Sequence, residues 1–179
     1  MRCILLLCAI VVAAITMTNT AHADRVIRKE ILVSASLNDV WEAWTTSEGA
    51  EQFFAPRAKV ELRPGGAYEM YFRTDAPEGK QGSEGCVVVS FEPMKRLTYT
   101  WNAPPELPDV QDKRTQVTVE LEPSGTDEVK VRITHSGWGS GGQWDQAYEY
   151  FVEAWGIVLA RLQHRFASGP IDWKNPYRP

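Results

Sequence analysis

Apolar residues change their spacing several times along the chain. From Val26 the pattern is mixed: Val26, Arg28 and Glu30 alternate with Ile27, Lys29 and Ile31, which is consistent with the period of two of a β-strand. At Leu37 the period lengthens. Leu37, Val40, Trp41 and Trp44 recur at three- and four-residue intervals, as on one side of an α-helix. Ser36 and Asp39 have the spacing of a capping box, in which each side chain takes a free backbone N–H at the helix start. "SEGAEQFF" predicts a second short helix with Ser47 as its cap.

The alternation then returns. "AKVELR" leads through the tight turn Pro64-Gly65-Gly66 into "AYEMYFRT". There Tyr68, Met70 and Phe72 form an apolar side opposite Glu69, Tyr71 and Arg73. "CVVVSF", "RLTYTW", "TQVTVELEP" and "EVKVRITH" predict four further strands. "APEGKQGSEG" reads as a loop, and the proline-rich "NAPPELPDVQD" as a surface connection. The last element is a long helix, roughly Gly141 to Ala167. Trp144, Ala147, Tyr148, Phe151, Trp155, Val158, Leu159, Leu162 and Phe166 share one face, and Asp145, Gln146, Glu149, Glu153 and His164 the other. Gly169-Pro170 stops it, and "IDWKNPYRP" is expected to run extended along the surface.

Strand, two short helices, six strands and a long helix make an α+β order. Consecutive strands favour an antiparallel meander. The apolar helix face needs a partner, and the concave face of that sheet is the natural one. No internal repeat or second domain is visible.

The first residues do not belong to this scheme. Arg2 gives a positive start, Ile4 to Ile15 is apolar and uncharged, and Ala21-His22-Ala23 offers small residues before a cut. This predicts a secretory signal peptide over 1–23, cleaved after Ala23, and a periplasmic or secreted location. Residues 24–179 then form a single domain with an extended tail over 168–179. The apolar run is shorter than the roughly 18 residues of a spanning helix, so no stable membrane span is expected in the mature form. The net charge of −4 gives no basic patch for nucleic acid. Cys3 and Cys8 would leave with the signal. Cys86, in the strand-like "GCVVVSF", then has no internal disulfide partner and reads as a small buried residue.

"VWEAWTTSEGAEQFF", "PGGAYEMYF", "EGCVVVSFEPMKRLTYTW", "VTVELEPSG" and "VRITHSGW" occur in that order. Together they resemble the SRPBCC, or START-like, superfamily. Within it they most resemble bacterial relatives of the C-terminal domain of the activator of the ninety-kilodalton heat-shock protein's ATPase. The resemblance covers nearly all of 24–179. It implies a helix-grip fold, in which a curved antiparallel sheet wraps the C-terminal helix with a hydrophobic pocket between them. Members include lipid carriers, small-molecule sensors, some enzymes and chaperone partners, so the fold carries over and the function does not. The chaperone activators work in the cytosol, whereas export is expected here, and this weighs against a co-chaperone role.

"THSGWGSGGQW" holds the candidate chemistry. Val129, Val131, Ile133 and His135 share one side of their strand, with Lys130, Arg132 and Thr134 on the other. His135 therefore faces the apolar side, as a core or pocket-rim histidine. Ser136 points the opposite way, so a Ser–His pair is not built and no third triad member can be named. No catalytic residue is assigned, and His135→Ala is expected to leave the fold largely intact. His135 and His164 lie on different elements and no cysteine pair supports them, so neither metal nor cofactor is expected. "GSGG" lacks the lysine of a phosphate-binding loop and reads as a flexible joint.

The family architecture nominates a pocket. Its sheet-side candidates are Met70, Phe72, Tyr99 and Trp101. From the joint and the helix come His135, Trp138, Trp144, Tyr148, Phe151 and Trp155. Ordinary packing accounts for any one of these residues equally well. The leading function is an exported binding protein for a small hydrophobic or amphipathic ligand, without catalysis. One alternative is an enzyme of lyase, cyclase or hydrolase type using the same pocket, with His135 or Glu69 as acid or base. The other is a protein-interaction module like the chaperone activators, its partner unidentified.

Overall fold

The computed structural model describes residues 25–179, so the expected signal peptide lies outside the described residues. The elements in chain order are β1 (Ile27–Val33), α1 (Leu37–Thr45), α2 (Ser47–Glu51), β2 (Arg57–Val60), β3 (Tyr68–Tyr71), β4 (Val88–Glu92), β5 (Arg96–Trp101), α3 (Pro108–Gln111), β6 (Thr115–Pro123), β7 (Val129–Ser136) and α4 (Gln143–Ser168). Five strands form one antiparallel sheet in the order β1-β7-β6-β5-β4. β2 and β3 make their own hairpin rather than two further rungs of that meander. The hairpin joins the large sheet through an Ala67–Val87 bridge, with Tyr68 N–H donating to Cys86 O and Val88 N–H to Gly66 O, both at 2.8 Å.

The alternation read from β7 holds. Val129, Val131, Ile133 and His135 are buried on the inner face. On the outer face Glu30, Arg132 and Glu120 lie in register across three strands and pair as ions. Exposed pairs of this kind contribute about 1 kcal/mol at most. The inner face therefore carries the stability of the sheet. Its main partner is α4, where Ala147, Phe151, Trp155, Val158, Leu159 and Leu162 are buried at helical spacing. Tyr148 OH donates to Val26 O at 3.5 Å and Gln163 Nε2 to Leu32 O at 2.8 Å. About 22 Å of helix thus lies beside about 20 Å of strand, both running the same way.

The helix starts differ in detail from expectation. Ser36 Oγ accepts Asp39 N–H at 3.1 Å. The Asp39 carboxylate, however, takes the Ser36 hydroxyl at 2.7 Å instead of its backbone N–H, which leaves half a capping box. α2 is capped by Thr46, not Ser47. Thr46 is still extended, and its hydroxyl accepts Gly49 N–H at 2.9 Å. Ser47 is already helical, and its hydroxyl accepts Val60 N–H at 2.9 Å, tying α2 to β2.

Two segments read as surface chain have structural roles. The 102–112 connection contains α3, with a proline in its first turn where a missing N–H costs nothing. Its Ala103 and Val110 are buried with Ala147 and pack beside Trp144. The tail after α4 is docked. Ile171 is buried and its N–H donates to Gln52 O at 2.9 Å, while Trp173 Nε1 donates to Glu51 O at 2.6 Å.

Candidate functional site

Sheet and helix do not touch along their whole length. Beside the middle of α4 they part around a cavity of about 530 Å³. That lies within the about 300–1,000 Å³ of small-molecule sites. Phe54, Trp101 and Trp155 form an aromatic floor, with centroids 5.5 to 5.9 Å apart. Phe54 is carried there by the turn ending α2, where its N–H donates to Ala50 O at 2.8 Å. Phe151, Ala154, Val158 and Arg161 follow one another at three- and four-residue steps, so one side of α4 makes the wall. The opposite rim is the 102–106 segment, held by Asn102 Nδ2 donating to Gly82 O at 3.1 Å. Phe72 and Tyr150 stand at the mouth, 41% and 53% exposed. Arg73 and Glu106 pair across it at 2.7 Å, and Arg161 and Arg178 lie on the remaining rim.

Of the residues nominated from sequence, Phe72, Trp101, Phe151 and Trp155 line this cavity. Met70, Tyr99, His135, Trp138, Trp144 and Tyr148 do not. Met70 and Tyr99 are fully buried, and Tyr99 stacks on Tyr68 at 4.0 Å, one ring behind Trp101. Trp138 lies 4.2 Å from the His135 ring and edge-on to Trp144 and Tyr148, so these aromatics gather at the start of α4, and Trp138 reaches the cavity wall through Phe151, 5.7 Å away. Tyr148 is also covered by the Arg25 guanidinium at 4.1 Å.

His135 is 0% exposed. Its Nδ1 accepts from Trp155 Nε1 at 2.9 Å and its Nε2 meets Thr115 Oγ1 at 2.7 Å, while Trp138 Nε1 donates to its carbonyl at 3.0 Å. Burial lowers its pKa to about 3. Both ring nitrogens are engaged and neither reaches the cavity. Glu69 also points elsewhere, accepting Tyr71 OH at 2.6 Å and Gly85 N–H at 2.7 Å. Cys86 is buried and its thiol is pushed up to about 12, chiefly by loss of solvent. Among the described residues no three His, Cys, Asp or Glu side chains come together as metal ligands, and no helix is long and apolar enough to cross a membrane.

The glycine run at the joint is shaped by Trp144. A Cβ on Gly139 would lie 2.2 Å from the Trp144 indole nitrogen, so the ring packs directly on bare backbone. Sequence reasoning missed Phe54, the 102–106 rim, Ala154, Arg161 and Arg178. Ala154 and Arg161 carried one usable signal, being seven residues apart on the side of α4 that also holds Val158.

Residues 34–167 match the family described as Activator of Hsp90 ATPase homolog 1-like protein. The chain belongs to this family. Several solved structures agree with the observed fold. A Mesorhizobium loti protein is 24% identical, with a TM-score of 0.62 over 78% of this chain and 95% of its own. The Aha1 dimer from Colwellia psychrerythraea is 20% identical, with a TM-score of 0.61 over 81% and 98%. An AHSA1-like protein from Rhizobium etli is 24% identical, with a TM-score of 0.58 over 87% and 91%. At these identities the likeness is one of fold. No curated protein matches the chain. The expected helix-grip architecture of the SRPBCC type is thus the observed one.

Proposed function

We propose that this AHSA1-family protein holds a small hydrophobic or amphipathic molecule between its sheet and α4, without converting it, and does so after export. The observation that carries the reading is the aromatic-walled cavity of about 530 Å³. It opens beside Phe72 and Tyr150, two large side chains that stay exposed at its mouth. Concave apolar walls with a few polar groups at the rim are the usual form of a small-molecule site. Holding rather than turnover is supported by His135, which is sealed away with both ring nitrogens occupied. Export rests on the pattern of residues 1–23, the charged start, apolar run and small residues before Asp24. The family description names an ATPase activator of Hsp90, and an exported protein would not meet a cytosolic chaperone.

Native mass spectrometry of the protein purified from its own host tests the proposal. The expected result is a bound species of small-molecule mass. A bare protein that also shows no thermal shift with fatty acids, isoprenoids, sterols or aromatic metabolites would sink the reading and put an interaction module in its place.

A further inference from the structure

The charges around the cavity do not balance. Arg73, Arg161 and Arg178 line it against a single acid, Glu106. Arg73 and Glu106 neutralise each other at 2.7 Å. Among the described residues, Arg161 and Arg178 have no carboxylate within ion-pair distance. This local excess of positive charge occurs in a chain whose net charge is −4, so it does not follow from general basicity. Two guanidinium groups beside an apolar wall repel each other, and an anion between them removes the repulsion. Burial and then the nearby charge of Arg178 lower the pKa of Arg161, in keeping with that crowding.

Arg161 is also held in place. Its Nε donates to Tyr177 O at 3.1 Å and its guanidinium lies 5.3 Å from the Trp173 ring centroid. The docked tail therefore fixes Arg161 and brings Arg178 to the same rim. The remaining guanidinium edge offers the planar fork that suits carboxylate or phosphate. From Trp155 on the floor to Arg161 is about 9 Å along the helix axis.

We infer that the ligand of this cavity is an amphipathic organic anion, its apolar body on the Phe54, Trp101 and Trp155 floor and its carboxylate or phosphate head between Arg161 and Arg178. The inference rests on the cavity being a binding site.

Calorimetric titration with dodecanoate, dodecyl phosphate and 1-dodecanol tests it, using wild type, R178Q, R161K and R161Q/R178Q. Wild type is expected to bind at least one anion tenfold or more tighter than the alcohol. Comparing the two anions identifies the head group. R161Q/R178Q should erase the gap between anion and alcohol, and R161K should retain part of it. R178Q alters an exposed side chain and should narrow the gap without moving the melting temperature. Equal affinity for alcohol and anions in wild type overturns the anionic head group and leaves the cavity reading standing. So does a gap that survives in R161Q/R178Q or, should that variant not fold, a gap that is undiminished in R178Q. Failure of all three probes to bind overturns the head-group assignment. The host-purified protein then decides separately whether the cavity reading falls with it.

Discussion

The indole N–H of Trp155 donates to Nδ1 of His135 at 2.9 Å. An indole nitrogen can only donate, so Nδ1 is the acceptor and the imidazole proton sits on Nε2. Nε2 then donates to Thr115 Oγ1, which in turn donates to Trp101 O at 3.1 Å. A directed chain of hydrogen bonds therefore runs from helix to sheet behind the cavity floor, and it requires a neutral histidine.

This chain makes stability depend on pH. The folded pKa of His135 is about 3, below the unfolded value of about 6.5. The unfolded chain therefore takes the proton first as pH falls. The contribution is complete above about pH 6.5 and is lost progressively toward about pH 3. Melting temperatures across that window should fall less steeply for His135→Phe than for wild type, the carboxylates being common to both. Imidazole nitrogen shifts should report an Nε2–H ring at neutral pH. A ring protonated in the folded protein at about pH 6 would contradict the assignment.

His135→Ala is expected to destabilise the fold, contrary to the expectation drawn from the sequence, which identifies no partner for His135. It strands the Trp155 N–H, leaves the Thr115 hydroxyl with only its bond to Trp101 O, and opens a void among packed rings. The combined cost is about 3 kcal/mol or more. Urea denaturation measures it, and a loss below about 1 kcal/mol would show that water replaces the ring without penalty.

Ala154→Phe should fill the cavity from the helix side while leaving the buried stripe intact. A saturating ligand raises the wild-type melting point by about 5–10 °C, and this variant should lose most of that shift. Phe151→Ala and Leu162→Ala should each cost about 2–5 kcal/mol. Phe151 lines the cavity and Leu162 does not, so only the first should also weaken ligand stabilisation. Thermal shifts measured for all three variants with one ligand check the pattern. An undiminished shift in Ala154→Phe would place binding elsewhere.

Export can be read from thiols as well as from mass. A product beginning at Asp24 retains Cys86 alone of the three cysteines. Under denaturing conditions it should react with one equivalent of a thiol reagent. Native protein should react far more slowly, because Cys86 is fully buried and its thiol pKa is raised to about 12. Three reactive thiols in host-purified protein would mean that residues 1–23 are retained.

The sides of the elements were legible in the sequence. Val129 to His135 alternate and Ala147 to Leu162 recur at helical spacing, and both patterns match the buried faces. Such periods say which side is apolar. They do not say where two apolar sides meet and where they part. Trp138, Trp144 and Tyr148 lie where α4 begins and pack on one another. The cavity opens further along, at the small Ala154. Its floor borrows Phe54 and its rim Arg178, residues whose approach depends on long-range docking that no local pattern encodes. The 102–106 segment read as surface chain because prolines and polar residues dominate it. Thr46 and Ser47 are both competent caps, and only the extended backbone at Thr46 decides between them.

An outermost strand ordinarily offers its free backbone groups to any passing chain, and pairing there is a route to aggregation. Val26 O just before β1 and Leu32 O within it have the same parity, and both are taken by α4, through Tyr148 and Gln163. The helix that walls the cavity therefore also guards this border against strand addition. Recruiting another strand there would require Tyr148 and Gln163 to release these carbonyls first, so α4 must shift before β1 can pair with a second chain.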